Sequence, residues 1–289
     1  MLQLKNKEAL LLLAPSILIL LVTTIFPFLY CIWVSLNNII IFYPVPNTFK
    51  GLQNYIDSLT NPIYGFWKSA YTTLIFTGSS ILLEFILGLA IALLLNKEFK
   101  GVGFLRSIIV IPLLVSPVSI GLIFRLMFQS GSWSLVNYIL KSIGMSPFNW
   151  LAERSLAMLV LIITDTWQWT PLMVLIFLAG LRMLPQEPFD AASVDGASSW
   201  QIFRYLTVPM LKEMMAIAFL LRLMDSLKTF DIIYVVTLGG PGEATQNLNY
   251  NAFLQSFVFG NLSIAAAQIL MLTVVVIIIS SIILRMVRR

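Results

Sequence analysis

Apolar runs of twenty or more residues recur along this chain, and a backbone inside lipid has almost no choice of architecture. With no water to satisfy its N–H and C=O groups, each crossing must be a helix or a strand of a closed barrel. A barrel strand needs only about 9–11 residues, whereas a helix needs about 20, so runs of this length require helices. Six crossings fit best, over about 9–36, 69–95, 104–128, 155–180, 212–236 and 262–285. The predicted fold class is an all-α integral membrane protein of six transmembrane helices, one domain over 1–289. Composition agrees, with 59% of residues hydrophobic, 11% charged and a mean hydropathy of +0.92. A soluble chain of this length needs about 25% charge to cover its surface.

Basic residues orient such a chain, because Lys and Arg flanking the spans stay in the cytoplasm. With the N-terminus inside, the inner segments hold Lys5, Lys7, Lys97, Lys100, Arg106, Arg182, Arg204, Lys212, Arg285, Arg288 and Arg289. The outer segments hold only Lys50, Lys68, Lys141 and Arg154. Eleven against four predicts both termini in the cytoplasm of a multi-pass protein of the cell membrane. The same distribution leaves no single basic patch for nucleic acid. The first run, from Ala9 to about Leu36, is too long for a signal sequence and no small-x-small site follows it, so it is expected to remain as the first span. The outer loops, about 37–68, 129–154 and 237–261, carry turn residues and interfacial aromatics such as Trp67 and Trp150. None is long enough for a folded receptor domain, so capture of an external ligand falls to another polypeptide.

Catalytic chemistry has little to work with. Histidine is absent, which excludes His-based zinc sites, Ser-His-Asp triads and Cys-His pairs. Cys31 is the only cysteine, so no intrachain disulfide forms. No Gly-Lys dipeptide occurs, so the phosphate loop of ATP hydrolases is missing and the chain is not expected to be an enzyme.

Charges inside the spans are the next constraint. Arg125, Arg222 and Lys228 lie there with Glu84, Asp165, Asp225 and Asp231. An ionised side chain at mid-bilayer costs about 2.5–3.5 kcal/mol or more, so these groups should face protein or water. In "RLMDSLKTFD", Arg222, Asp225, Lys228 and Asp231 are spaced three apart and can pair along a helix. Arg222, Asp225, Ser226 and Thr229 also fall at i, i+3, i+4 and i+7, one polar stripe on an apolar helix. The stripe reads either as packing by internal ion pairs or as the lining of a translocation cavity, and both can hold together. The fourth span adds "DTWQWTP", with Asp165, Gln168, Trp169 and Pro171, where aromatics beside amide and carboxylate groups suit sugar rings, or the Trp residues serve packing or the membrane interface. Pro171 is expected to kink it. In the third span Pro112 and Pro117 interrupt the backbone ladder twice, by a packing kink or beside a cavity.

The inner segment 181–211 carries features that a mere connector does not need. Pro188 suits a helix start, Gly196 a helix stop, and "ASSWQIFRYL" a second short helix with Trp200, Phe203 and Leu206 on one side. Pro209 then opens the next span. The predicted helix-turn-helix lies across the cytoplasmic face and exposes large rings, which implies a covering partner.

At these residues the chain resembles the membrane-spanning subunits of binding-protein-dependent ABC importers of the carbohydrate type. Their coupling loop reads Glu-Ala-Ala, three residues, Gly, nine residues, then Ile-x-Leu-Pro. Here Asp190-Ala191-Ala192, Gly196 and Leu206-Thr207-Val208-Pro209 keep that spacing, and Asp195-Gly196-Ala197 looks like the carbohydrate-importer version. Asp190 is one methylene shorter than the family's Glu. The strings "FKGLQNY", "LGLAIALLLN", "FLRSIIVIP", "LAGLRMLPQEPFDAASVDGA" and "LKTFDIIYVVTLGGPGEAT" extend the likeness over nearly the whole chain. The turn Gly239-Gly240-Pro241 is similar to the substrate-contacting permease of the maltose-importer type.

The resemblance implies the type I ABC importer permease fold with a cytoplasmic coupling helix. It implies substrate contacts at Leu113, Pro117, Gln168, Trp169, Leu172, Arg222, Asp225, Ser226 and Thr229, several differing in type from the maltose-type residues. It also implies contacts with ATPase subunits through Asp190, Ala191, Ala192, Asp195, Gly196, Ala197, Trp200 and Phe203. The implied partners are a second permease, two ATP-binding cassette subunits that bind ATP and Mg, an extracytoplasmic solute-binding protein, a sugar-like solute and membrane lipid. No cofactor is expected on this chain, and no metal. The alternative from the residues alone is an ion-coupled secondary transporter with Asp165, Asp225 or Asp231 as ion sites, which leaves the 189–209 loop unexplained.

Overall fold

The computed structural model describes residues 6–42, 46–131 and 133–287. Lys5, Arg288 and Arg289 of the inner basic set lie outside them. The chain opens with α1 (Asn6–Leu20), which passes through one wide turn into α2 (Phe26–Leu36). A two-residue antiparallel pair follows, β1 (Asn37–Asn38) with β2 (Thr48–Phe49), Asn37 opposite Phe49. Then come α3 (Gln53–Thr60), α4 (Phe66–Asn96), α5 (Val102–Ile108), α6 (Ile111–Leu114), α7 (Pro117–Met127) and α8 (Leu135–Ser142). The second half holds α9 (Arg154–Met183), α10 (Glu187–Val194), α11 (Ser199–Ile202), α12 (Val208–Ser226), α13 (Asp231–Val236), α14 (Leu248–Phe253) and α15 (Leu262–Val287).

Contacts divide the chain into two compact units, residues up to Trp67 with Asn251–Val274, and Lys68–Tyr250 with the segment from Val275. In the first, residues Leu13 to Tyr30 are exposed and almost all apolar, as a helix facing lipid should be. The far end of α2 is closed by α3, where buried Asn54 donates to the carbonyls of Ser35 and Asn37, 2.8 Å each.

The second unit is built on α4, α9 and α12. Between lipid-soluble helices the hydrophobic effect is weak, so close approach depends on small residues. A Cβ on Gly88 of α4 would run into Met173 of α9, and one on Gly180 of α9 would lie 2.6 Å from Leu211 Cδ1 of α12. Ala92, Met173, Phe177, Leu211 and Ala218 fill this core, fully buried. Phe85 lies edge-on to Phe177 at 5.2 Å.

Two predicted spans are not single helices. Over 104–128, Val115 and Ser116 leave the helix, ψ 136° and 137°; Ser116 is the residue that Pro117 pushes out of the helical region. The limbs Val102–Leu114 and Pro117–Met127 meet at 94°, so they cannot both run along the membrane normal. Over 212–236, α12 stops at Ser226 and α13 starts at Asp231. The freed carbonyls are taken up by side chains, Leu227 O accepting from Asn249 Nδ2 (2.7 Å) and Thr229 O from Asn247 Nδ2 (2.6 Å). The predicted outer loop 237–261 therefore folds back in part against this unit, with Leu248 N donating to Thr73 Oγ1 of α4 at 3.0 Å. Arg125 finds its role here, donating to Val235 O at the end of α13, 2.9 Å. By contrast α9 continues through Pro171. By length and hydropathy, the described residues contain four crossing-length helices: Leu13–Leu36, Pro62–Asn96, Arg154–Met183 and Leu262–Arg285. The bent pair makes a fifth if it is counted as one span.

Candidate functional site

Three of the in-span carboxylates, Glu84, Asp165 and Asp225, converge on one guanidinium. Arg222 of α12 donates Nε to Glu84 Oε2 at 2.6 Å and Nη2 to Glu84 Oε1 at 3.0 Å. Nη2 also meets Asp165 Oδ2 of α9, and Nη1 meets Asp225 Oδ2 at 3.2 Å. Arg222, Glu84 and Asp165 are wholly buried, while the Asp225 side chain is 50% exposed. The Trp169 ring lies 5.0 Å from the Arg222 carbon, a cation–π arrangement. Arginine suits this place because its rigid fork serves several carboxylates without deprotonating.

The intrahelical ladder read from spacing is only one-third present. Arg222 does pair with Asp225, but Lys228 and Asp231 are exposed and form no ion pair among the described residues. The helix ends before Lys228, so the three-residue spacing no longer places side chains on one face. For the same reason Thr229 leaves the predicted stripe. It lies in the break, half-buried, its N–H bonded to Ser226 O at 3.2 Å. Glu84 is one of the in-span charges, but its pairing with Arg222 leaves no mark in the local sequence pattern.

The other predicted contact positions divide by exposure. Ser226 is buried, its hydroxyl 3.1 Å from Thr77 Oγ1 of α4. Gln168 is buried too, with Oε1 unpartnered. Trp169, Leu172, Leu113 and Pro117 are half-buried, the last two flanking the α6–α7 break. A cavity of about 700 Å³ between α4, α5–α6 and α9 is walled by Leu83, Ile91, Ile108, Pro112, Trp167 and Pro171. None of the nine predicted positions lines it, and its wall is almost entirely hydrocarbon, a poor fit to a polyhydroxylated solute.

The segment 181–211 has sharply defined local chemistry. Pro188 stands in the first turn of α10. The helix closes with Gly196 N to Ser193 O (3.2 Å) and Ala197 N to Ala192 O (3.0 Å), the paired bonds of a Schellman cap. Gly196 has φ +74°, which a side chain would strain. Two residues later Ser198 and Gln201 form a reciprocal capping box that starts α11. Between cap and box lies a groove of about 360 Å³, lined by Ala192, Asp195, Gly196, Ala197, Gln201 and Tyr205. Asp190 and Ala191 are exposed beside it, and Trp200, exposed, lies 5.5 Å from half-buried Phe203. Met183, Val194 and Tyr205, 72%, 88% and 73% exposed, are bulky residues of this segment outside the predicted contact set. The expected second helix does not end before Pro209. α11 continues through a π turn, Phe203–Thr207, straight into α12.

The family of binding-protein-dependent transport system inner membrane components matches residues 84–289. The trehalose/maltose transport system permease protein MalF of Thermococcus litoralis is 41% identical over 254 residues, 87% of this chain and 85% of that protein. The trehalose transport system permease protein SugA of Mycobacterium tuberculosis is 30% identical over 257 residues, covering 89% and 81%. Among solved structures, a chain of a bacterial ABC transporter importing the acidic polysaccharide alginate shares the fold. Its TM-score is 0.83 at 22% identity, covering 98% of this chain and 96% of that one.

Proposed function

Because the chain belongs to the binding-protein-dependent transport system inner membrane components, we propose that it is one permease of an ATP-driven importer for an uncharged sugar-like solute. It is a transport subunit and not an enzyme. A second permease completes the passage, two ATPase subunits bind ATP and Mg, and an extracytoplasmic binding protein delivers the solute. The orientation proposed is six crossings, the third and fifth broken, with both termini in the cytoplasm. Relatives named for trehalose and maltose support the sugar class. The ion-coupled alternative has no support in this family.

One observation carries the mechanism. A helical run without a break leads from Ser199, at the groove, to Arg222, at the buried cluster. At about 1.5 Å per residue it is a lever of about 35 Å, stiff enough to carry a push from one end to the other. An ATPase seated on Asp190, Ala191, Ala192, Asp195, Gly196, Ala197, Trp200 and Phe203 would move that lever as its two copies close on ATP. Arg222 and Ser226, both buried in this conformation, would act by holding α4, α9 and α12 in register. Asp225, Thr229, Trp169, Leu172, Leu113 and Pro117 keep partial exposure and are the residues proposed to meet solute, with Gln168 behind them. Arg222 is wholly buried, with four of its five N–H donors given to carboxylates, which favours a neutral substrate over an acidic one. The test is Gly196→Leu in the assembled importer, measured for uptake and for ATP hydrolysis. Loss of uptake with the binding of solute intact is expected; wild-type uptake and hydrolysis would refute the coupling role.

A further inference from the structure

Gly131 and the segment 133–150 are built inside out. Asn137, fully buried, is its polar centre: its amide donates to Gly131 O and Phe148 O at 2.9 Å each, and its carbonyl accepts from Phe148 N at 3.0 Å and Trp150 Nε1 at 2.9 Å. Ser134, also buried, caps α8 by accepting from Asn137 N. The apolar residues point the other way. Trp133 is 98% exposed and Ile143 67%, with Tyr138, Ile139, Leu135 and Met145 exposed beside them. A loop that hides its amides and shows its hydrocarbon is stable only where the surroundings are not bulk water.

We infer that α8, with Trp133 and Ile143, lies in the headgroup layer of the membrane as an interfacial anchor, its apolar face against the acyl boundary. Three observations select lipid as the occupant. The face mixes Trp and Tyr with aliphatics and a neighbouring Lys141, the composition of membrane–water belts, where rings keep one end wet. No acidic residue occurs from Leu126 to Ala152 and Lys141 is the only charge, which suits zwitterionic or anionic headgroups. Leu122, Ile123 and Leu126 of α7, the helix that leads into the loop and touches α8, are exposed hydrocarbon as well. A receptor that comes and goes would leave Trp133 in water between encounters; lipid covers it throughout. The four bonds of Asn137 make the anchor rigid, so it would hold the outer end of the bent α5–α7 segment at a set depth.

The leaflet follows from the orientation proposed above, but contact with lipid does not depend on it. The experiment uses the chain with its associated subunits in phosphatidylcholine–phosphatidylglycerol nanodiscs, Cys31→Ser, with an environment-sensitive fluorophore on Ile139→Cys. Blue-shifted emission, quenched by lipids spin-labelled near the headgroup and unchanged by the binding protein, is expected. Emission as in water, a blue shift only after the binding protein is added, or a blue shift that lipid labels cannot quench would each overturn the anchor. The last outcome would assign the face to a neighbouring subunit. As a readout without cysteine chemistry, Trp133→Phe should remove part of the intrinsic fluorescence quenched by brominated lipid; an unchanged quenched fraction would equally overturn it. In sealed vesicles an impermeant quencher added outside reports sidedness separately.

Discussion

Replacing Arg222 by methionine tests whether the buried cluster is a structural tie. Met keeps most of the side-chain volume and removes the charge. The two carboxylates it leaves, Glu84 and Asp165, are both inaccessible to solvent and would face one another with no counter-charge. Removing one partner of a buried pair costs about 3–5 kcal/mol, because the surviving charge keeps its desolvation penalty. Arg222→Met alone should therefore lower the stability of the assembled importer by about that much. Making all three neutral, Arg222→Met with Glu84→Gln and Asp165→Asn, should bring stability back to within about 1–2 kcal/mol of wild type, since buried ion pairs replaced by neutral groups of like volume are often tolerated. Heat or denaturant unfolding of the purified complex gives the comparison, and the expected signature is strong non-additivity. If the triple variant proves as unstable as Arg222→Met, or if Arg222→Met is as stable as wild type, the charges do not carry the packing and the reasoning fails. If the triple variant is stable and still transports a neutral sugar, Arg222 is a tie and not a ligand.

Exchanging the identities of Arg222 and Asp225 is expected to abolish assembly, because position 222 would then add a third buried carboxylate while position 225 is half-exposed; an exchanged variant that assembles and transports would contradict the geometry. Asn247→Ala leaves the Thr229 carbonyl without its donor and should cost about 1–3 kcal/mol, read as a lowered unfolding temperature; no change would mean that water replaces it. Gly88→Leu should cost about 1–3 kcal/mol or block assembly by overpacking against Met173, with partial relief from Met173→Ala; failure of the second change to help would locate the defect elsewhere. Gly196→Ala, with open space around its Cβ, should destabilise the cap by about 1–2 kcal/mol through φ alone and reduce uptake more than assembly.

Local chemistry made part of this molecule legible before any fold was known. Apolar runs of this length demanded helices, since a barrel strand crosses lipid in about half as many residues. Pro117 marked the break at Ser116, because the clash of proline with its predecessor is a nearest-neighbour effect. Pro188 and Gly196 bounded α10 for the same reason, each acting within one turn. Pairing was beyond reach. Helical spacing offered Arg222 only partners on its own segment, yet its strongest bonds go to residues 138 and 57 positions away, and such contacts leave no periodic trace. The end of α12 at Ser226 was hidden likewise: it depends on Asn247 and Asn249 arriving from a distant segment to cap carbonyls that the helix itself would have used. Composition decided that this chain lives in a membrane; only packing decided which of its charges lies buried at the centre and which still meets the outside.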